Sequence, residues 1–214
     1  MNEKYQRIKI WDSYIRIYHW LMVAAVAGLW WTGEQGRMDL HQDIAIALAA
    51  LLITRIGWGF FGSRNVRFRH FIQSPKRVVS HVGALFGRRY QQGNTHSPAG
   101  GYSVVALLLI LVVQIATGLF ATDGILFSGP LNSWVSSDTA DLLTDWHKAQ
   151  FNFILGLVVL HIVAIVIYRL LGHRLLAAMV TGYRYTSAQV PALKPGWQGL
   201  VIALAVWFIL VMLL

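Results

Sequence analysis

A chain of 214 residues with 56% apolar and only 13% charged residues has the length of a single domain but not the composition of a soluble one. Its mean hydropathy of +0.53 comes from long apolar runs, the pattern of an integral membrane protein. The absence of cysteine excludes disulfides, iron–sulfur clusters, thiolate zinc sites and covalent c-type haem attachment, so histidine is the strong nitrogen ligand that remains.

Lys4, Arg7 and Lys9 precede the first apolar run, and no small-residue cleavage site follows, so the first run reads as a retained span. It covers residues 14–32, with Tyr18, Trp20, Trp30 and Trp31 near its ends, where aromatic rings favour the membrane interface. A hydrophilic turn over 33–40 leads to a second span over 41–61. Residues 62–101 are polar, with seven Lys/Arg and no Asp/Glu, and 74–86 reads as a helix lying along the surface. A third span covers 102–121. The loop 122–145 has four aspartates, Asp123, Asp138, Asp141 and Asp145, and no Lys/Arg. The fourth span, 146–169, is followed by a basic stretch over 170–195 and by an apolar run over 197–214, long enough for a fifth helix.

The expected fold is an all-α integral membrane protein, a four-helix transmembrane bundle with an extra C-terminal span. Lys and Arg concentrate at the N-terminus, in the second loop and after the fourth span, so the positive-inside rule puts these in the cytoplasm. The net charge of +9 is then a topology signal, and nucleic acid is not an expected partner.

His147 and His161 lie 14 residues apart in the fourth span, which at about 100° per residue puts them within roughly 40° of one another and about 21 Å apart along the axis. Ionisable residues in a span are functional hypotheses by default. His19, near the inner end of span one, matches the depth of His161, and His41, at the outer end of span two, matches that of His147. Zinc would need three or four ligands at one point, which the axial separation forbids. Two facing histidines at each level suit the two axial positions of a haem iron held between helices.

Arg55 stands 14 residues after His41, at the depth of the inner pair, where it can neutralise a haem propionate or snorkel to the interface. Arg16, Arg64 and Arg67 are weaker candidates of the same kind. Gly28, Gly57 and Gly118 offer a macrocycle close approach to the backbone, or serve plain helix packing. His70, His81, His96 and His173 lack a partner at matching depth and read as solvated or as lipid headgroup contacts.

The segments WDSYIRIYHW, HQDIAIALAALLITRIGWGFFG, HSPAGGYSVVALLLILVVQIATGLF and WHKAQFNFILGLVVLH, with AAMVTG after them, resemble the bacterial cytochrome b-561 and nickel-iron hydrogenase b-type cytochrome family over about residues 8–183. The resemblance implies that His19, His41, His147 and His161 ligate two b haems. It also implies electron exchange between the quinone pool, ubiquinone or menaquinone, and a periplasmic partner, a c-type cytochrome or a dehydrogenase subunit. On this reading residues 1–183 form a dihaem cytochrome b domain. Residues 184–214 form a linker and an added helix, free to dock a partner or a second copy. Three functions compete: an electron-transfer subunit or hydrogenase-type membrane anchor, a self-contained superoxide:quinone oxidoreductase, and a non-redox subunit using its histidines as proton relays.

Overall fold

A computed structural model describes residues 6–87, 95–187 and 189–214; Lys4, Arg88 and Arg89 lie outside them. Among the described residues eight α-helices follow in order: α1 (Ser13–Glu34), α2 (Met38–Phe61), α3 (Phe68–Phe71), α4 (Pro75–Phe86), α5 (Pro98–Gly118), α6 (Ser137–Leu170), α7 (Leu175–Thr181) and α8 (Gly196–Leu213). The all-α expectation needs one amendment. Strands β1 (Gln6–Lys9) and β2 (Tyr183–Thr186) pair antiparallel, with Gln6 opposite Thr186 and Lys9 opposite Tyr183. Ile8 turns inward at 5% exposure, and the Arg7 guanidinium lies 4.4 Å from the centroid of the Tyr183 ring. A four-residue ribbon carries too little periodicity to be seen in a sequence dominated by spans.

Helices α2, α5, α6 and α8 are long and apolar enough to cross a membrane. They expose much of that apolar surface, with Phe153, Leu160, Leu204 and Phe208 all above 60% exposed, which suits hydrocarbon rather than water. Helix α1 has the length, 22 residues, but Arg16, His19 and its aromatic residues dilute its apolar character. The amphipathic α4 begins with Pro at its first turn and shows Val79, Val82 and Phe86 on one exposed face.

Helix α6 starts earlier than the sequence suggested, taking in the second half of the expected acidic loop. Ser136 accepts the Ala140 amide on its carbonyl at 2.9 Å and the Thr139 amide on its hydroxyl at 3.4 Å, and Asp138 in the first turn complements the helix dipole. Asp138, Asp141 and Asp145 therefore share one exposed helical face. Asp123 has a different task. Its Oδ1 accepts the amides of Ile125, Leu126 and Phe127 at 2.8–2.9 Å, and these bonds, led by that from Phe127, hold its carboxyl below the usual range.

The chain forms two compact units, one of Met1–His19, Arg55–Val105 and Leu160–Val201, the other of Trp20–Thr54, Ala106–Val159 and Ile202–Leu214. The first is organised on Asp12, 2% exposed. Its Oδ1 caps α1 by accepting the Ile15 amide at 2.8 Å, and its Oδ2 accepts Trp58 Nε1 at 3.2 Å and Ser63 Oγ at 2.5 Å. Asn65 Nδ2 donates to the Ile10 carbonyl beside it. Replacing Asp12 with Ala strands three buried donors at once. We expect a loss of about 3 kcal/mol, read as a lower thermal midpoint in detergent, with Asp12→Asn keeping part of it.

Candidate functional site

Each unit brings together one pair of the histidines singled out from the sequence. In the second unit His41 comes from the first turns of α2 and His147 from α6, with ring centroids 6.2 Å apart and ring planes at 72°. In the first unit His19 of α1 faces His161 of α6, with centroids 6.5 Å apart and planes at 46°.

The hydrogen bonds around the His41 and His147 rings fix their tautomers. His147 Nδ1 lies 3.0 Å from the Gln114 carbonyl, which can only accept, so Nδ1 carries the proton. Gln114 returns a bond, its Nε2 donating to the His147 carbonyl at 3.0 Å. Thr32 Oγ1 donates to the Gly28 carbonyl at 2.8 Å, which leaves it to accept from His41 Nδ1 at 3.1 Å. Both rings thus keep a lone pair on Nε2. An imidazole that donates from Nδ1 and offers Nε2 is the usual arrangement of a metal-bound histidine.

Small residues make room for these rings. A Cβ at Gly118 would stand 2.8 Å from His147 Cε1, so glycine lets the ring lie against α5, while one at Gly33 would meet His41 at an ordinary 3.6 Å. The other two glycines picked from the sequence lie against neither ring. Gly28 packs on Ile44 Cδ1, where a Cβ would sit at 3.3 Å, and nothing approaches Gly57 within 4 Å. A cavity of about 580 Å³ is bordered by His41, His147, Gly33 and Gly118 and otherwise mainly by apolar side chains such as Leu29 and Ile115. That is within the usual range for a cofactor site.

Arg55 is 3% exposed, so its side chain is packed inside the first unit. Its guanidinium carbon lies 5.5 Å from the Phe68 ring centroid, and its Nη1 has no hydrogen-bond partner among the described residues. Arg16, half-buried, donates from Nη1 to the Val180 carbonyl at 2.8 Å. Arg64 and Arg67 lie beyond the end of α2.

Two of the histidines read as solvated are packed inside. His81, 5% exposed, bonds through Nε2 to Tyr168 Oη at 2.6 Å, and Tyr168 donates onward to Ser97 Oγ at 2.8 Å. His96 sits between the rings of Trp11 and Phe71, with centroids at 4.9 and 4.7 Å. Burial, aided by the charges of Arg55 and Arg184, pushes His96 down to about 3, so it is neutral at physiological pH. Neither role is written in the spacing, because each partner lies far off in sequence.

Two imidazoles bonded through one nitrogen each to opposite sides of a metal, at roughly 2 Å per bond, have centroids about 6 Å apart. Both pairs have that separation. With two nitrogen donors per point among the described residues and an apolar cavity at one of them, the donor sets fit a planar macrocycle that would supply a metal's other ligands. No curated protein and no solved structure matches the chain. The sequence profile described as prokaryotic cytochrome b561 matches residues 10–182. That is most of the chain, which with its apolar helices is a multi-pass, b-type electron-transfer protein of the prokaryotic cytochrome b561 family.

Proposed function

We propose that this protein carries electrons across the bacterial inner membrane between the quinone pool and a periplasmic redox partner, on two b haems held by His19 with His161 and by His41 with His147. The single observation that carries this reading is the pair of facing imidazoles repeated in both units at centroid separations of 6.2 and 6.5 Å. A haem held by such a pair would supply single-electron transfer. The chain's own part is to fix the two rings. The Gln114 carbonyl and the Thr32 hydroxyl hold Nδ1 of His147 and of His41, which sets each ring's tautomer and leaves Nε2 free to bind. Helix α6 supplies one histidine to each pair.

The topology that goes with this reading places the N-terminus and the basic 62–101 segment in the cytoplasm, and the Asp138, Asp141 and Asp145 face in the periplasm. Three like charges on one exposed face suit a basic, transient partner steered by charge. The α8 helix adds a lipid-exposed face beyond the matched residues.

The test is to purify the protein and mix it, oxidised or reduced, with quinol, quinone, reduced c-type cytochrome and superoxide. Reducible b-type absorption bands and rapid exchange with quinone and a cytochrome are expected. A colourless preparation would sink the reading, and reaction with superoxide and quinone alone would make the protein a self-contained oxidoreductase.

Gly118 gives a finer check. Gly118→Ala forces the His147 ring away from α5 or off its bond to Gln114. The preparation is expected to lose part of the haem at the His41–His147 site and none at the other, measured as haem per polypeptide with a redox titration.

A further inference from the structure

The segment after α2 folds back so that apolar residues turn in and basic ones turn out. Val66 and Phe71 are fully buried, and Ser63 Oγ and Asn65 Nδ2 are bonded to Asp12 and to the Ile10 carbonyl. Arg64, Arg67, Arg69 and His70 are left on the outer side. The stretch before α8 is tied across from them, through Arg64 N to the Ala192 carbonyl at 3.1 Å and Lys194 N to Ser63 Oγ at 2.9 Å. Arg67 Nε donates to the Gly62 carbonyl at 2.8 Å, which fixes that guanidinium and leaves its terminal amino groups for another acceptor.

The result is a concavity of about 360 Å³ lined by those four residues and Lys194, with no acidic side chain in its wall. His70 registers the positive field: partial desolvation and then the charges of Arg69, Arg64 and Arg67 hold its imidazole below the ordinary range. A topological excess of Lys and Arg explains basic residues near a span. It does not explain a concavity whose two walls are hydrogen-bonded to one another and to the core of the unit.

We propose that the pocket formed by Arg64, Arg67, Arg69, His70 and Lys194 is a binding site for a phosphate-bearing anion, the headgroup of an anionic phospholipid or a soluble phosphate. A phosphate offers several acceptor oxygens to guanidinium forks converging from different directions, and its charge relieves the repulsion among the cations. A single carboxylate would leave most of them unmatched. The pocket's position favours the lipid source. It opens just past the end of α2, where Phe60 and Phe61 are 58% and 75% exposed, so acyl chains can lie on the phenyl rings while the headgroup meets the cations.

The experiment uses the haem-loaded protein in a neutral detergent. It is titrated separately with phosphatidylglycerol, phosphatidylcholine and inorganic phosphate, following the thermal midpoint and, by native mass spectrometry, the number of molecules bound. The triple variant Arg64→Gln, Arg69→Gln, Lys194→Gln is compared with a control that removes three exposed charges elsewhere, Lys76→Gln, Arg77→Gln, Arg174→Gln. Saturable binding of phosphatidylglycerol over phosphatidylcholine, weakened at least tenfold in the pocket variant and little in the control, is expected, about the worth of one charge-assisted hydrogen bond. The same pattern with inorganic phosphate and none with lipid would make the ligand a soluble phosphate. Equal loss in pocket variant and control, or no loss in either, would overturn the site.

Discussion

His147→Ala is expected to lower the haem content to about half and leave the other haem with its spectrum and midpoint nearly unchanged; His41→Ala should do the same to the same haem. His19→Ala and His161→Ala should take away the other one. The reason is geometric. Each pair stands at the separation that two axial nitrogens require, and the two pairs belong to different units. Losing one ring would leave a haem held by a single imidazole. The double variant within a pair should lose no more haem than either single variant, because the members of a pair act as one unit. A double variant across pairs, His41→Ala with His19→Ala, should lose both haems. Haem per polypeptide and a potentiometric titration read all of these. Should His19→Ala and His41→Ala remove the same haem, the pairing is wrong.

The histidine pairs were legible because helical periodicity is a strong constraint over 14 residues, and because a histidine in an apolar run has few structural uses. The positions of α2, α5, α6 and α8 followed from apolar length, and α4 appeared where a surface helix was expected. What the sequence concealed depends on contacts between distant residues. No local pattern marks Asp12, whose carboxylate joins the start of α1 to Trp58 and Ser63. The β1–β2 pairing joins residues about 180 apart, and no local pattern marks it. The two uses offered for the glycines stay open in the sequence, which reveals a missing side chain but not what fills the gap: at Gly118 it is the His147 ring, at Gly28 it is Ile44. The acidic loop was drawn too long because aspartates count against a span, though in a first helical turn they favour a helix.

Replacing Arg55 with Leu is expected to separate two effects that an ordinary core substitution would not. Arg55 is buried, its charge is within electrostatic range of Tyr18, Tyr14 and Asp12, and its Nη1 has no hydrogen-bond partner among the described residues. The Asp12 carboxylate already accepts three donors, so it is poorly placed to serve as a close ionic partner as well. Without haem, removing an incompletely compensated buried cation should leave stability unchanged or raise it. With haem the outcome reverses if Arg55 faces a propionate. Losing a positive charge disfavours the reduced iron, and a unit charge acting over about 10 Å at an effective dielectric of about 20 is worth about 1.7 kcal/mol. The midpoint of the His19–His161 haem should therefore fall by tens of millivolts, while that of the other haem moves much less. Arg55→Lys, which keeps the charge but not the fork, should restore most of the potential and less of the haem retention. Thermal unfolding of apo and loaded protein, set beside a redox titration of each variant, distinguishes the cases. An unchanged midpoint alongside an unchanged or higher apo stability would mean that Arg55 acts on no haem.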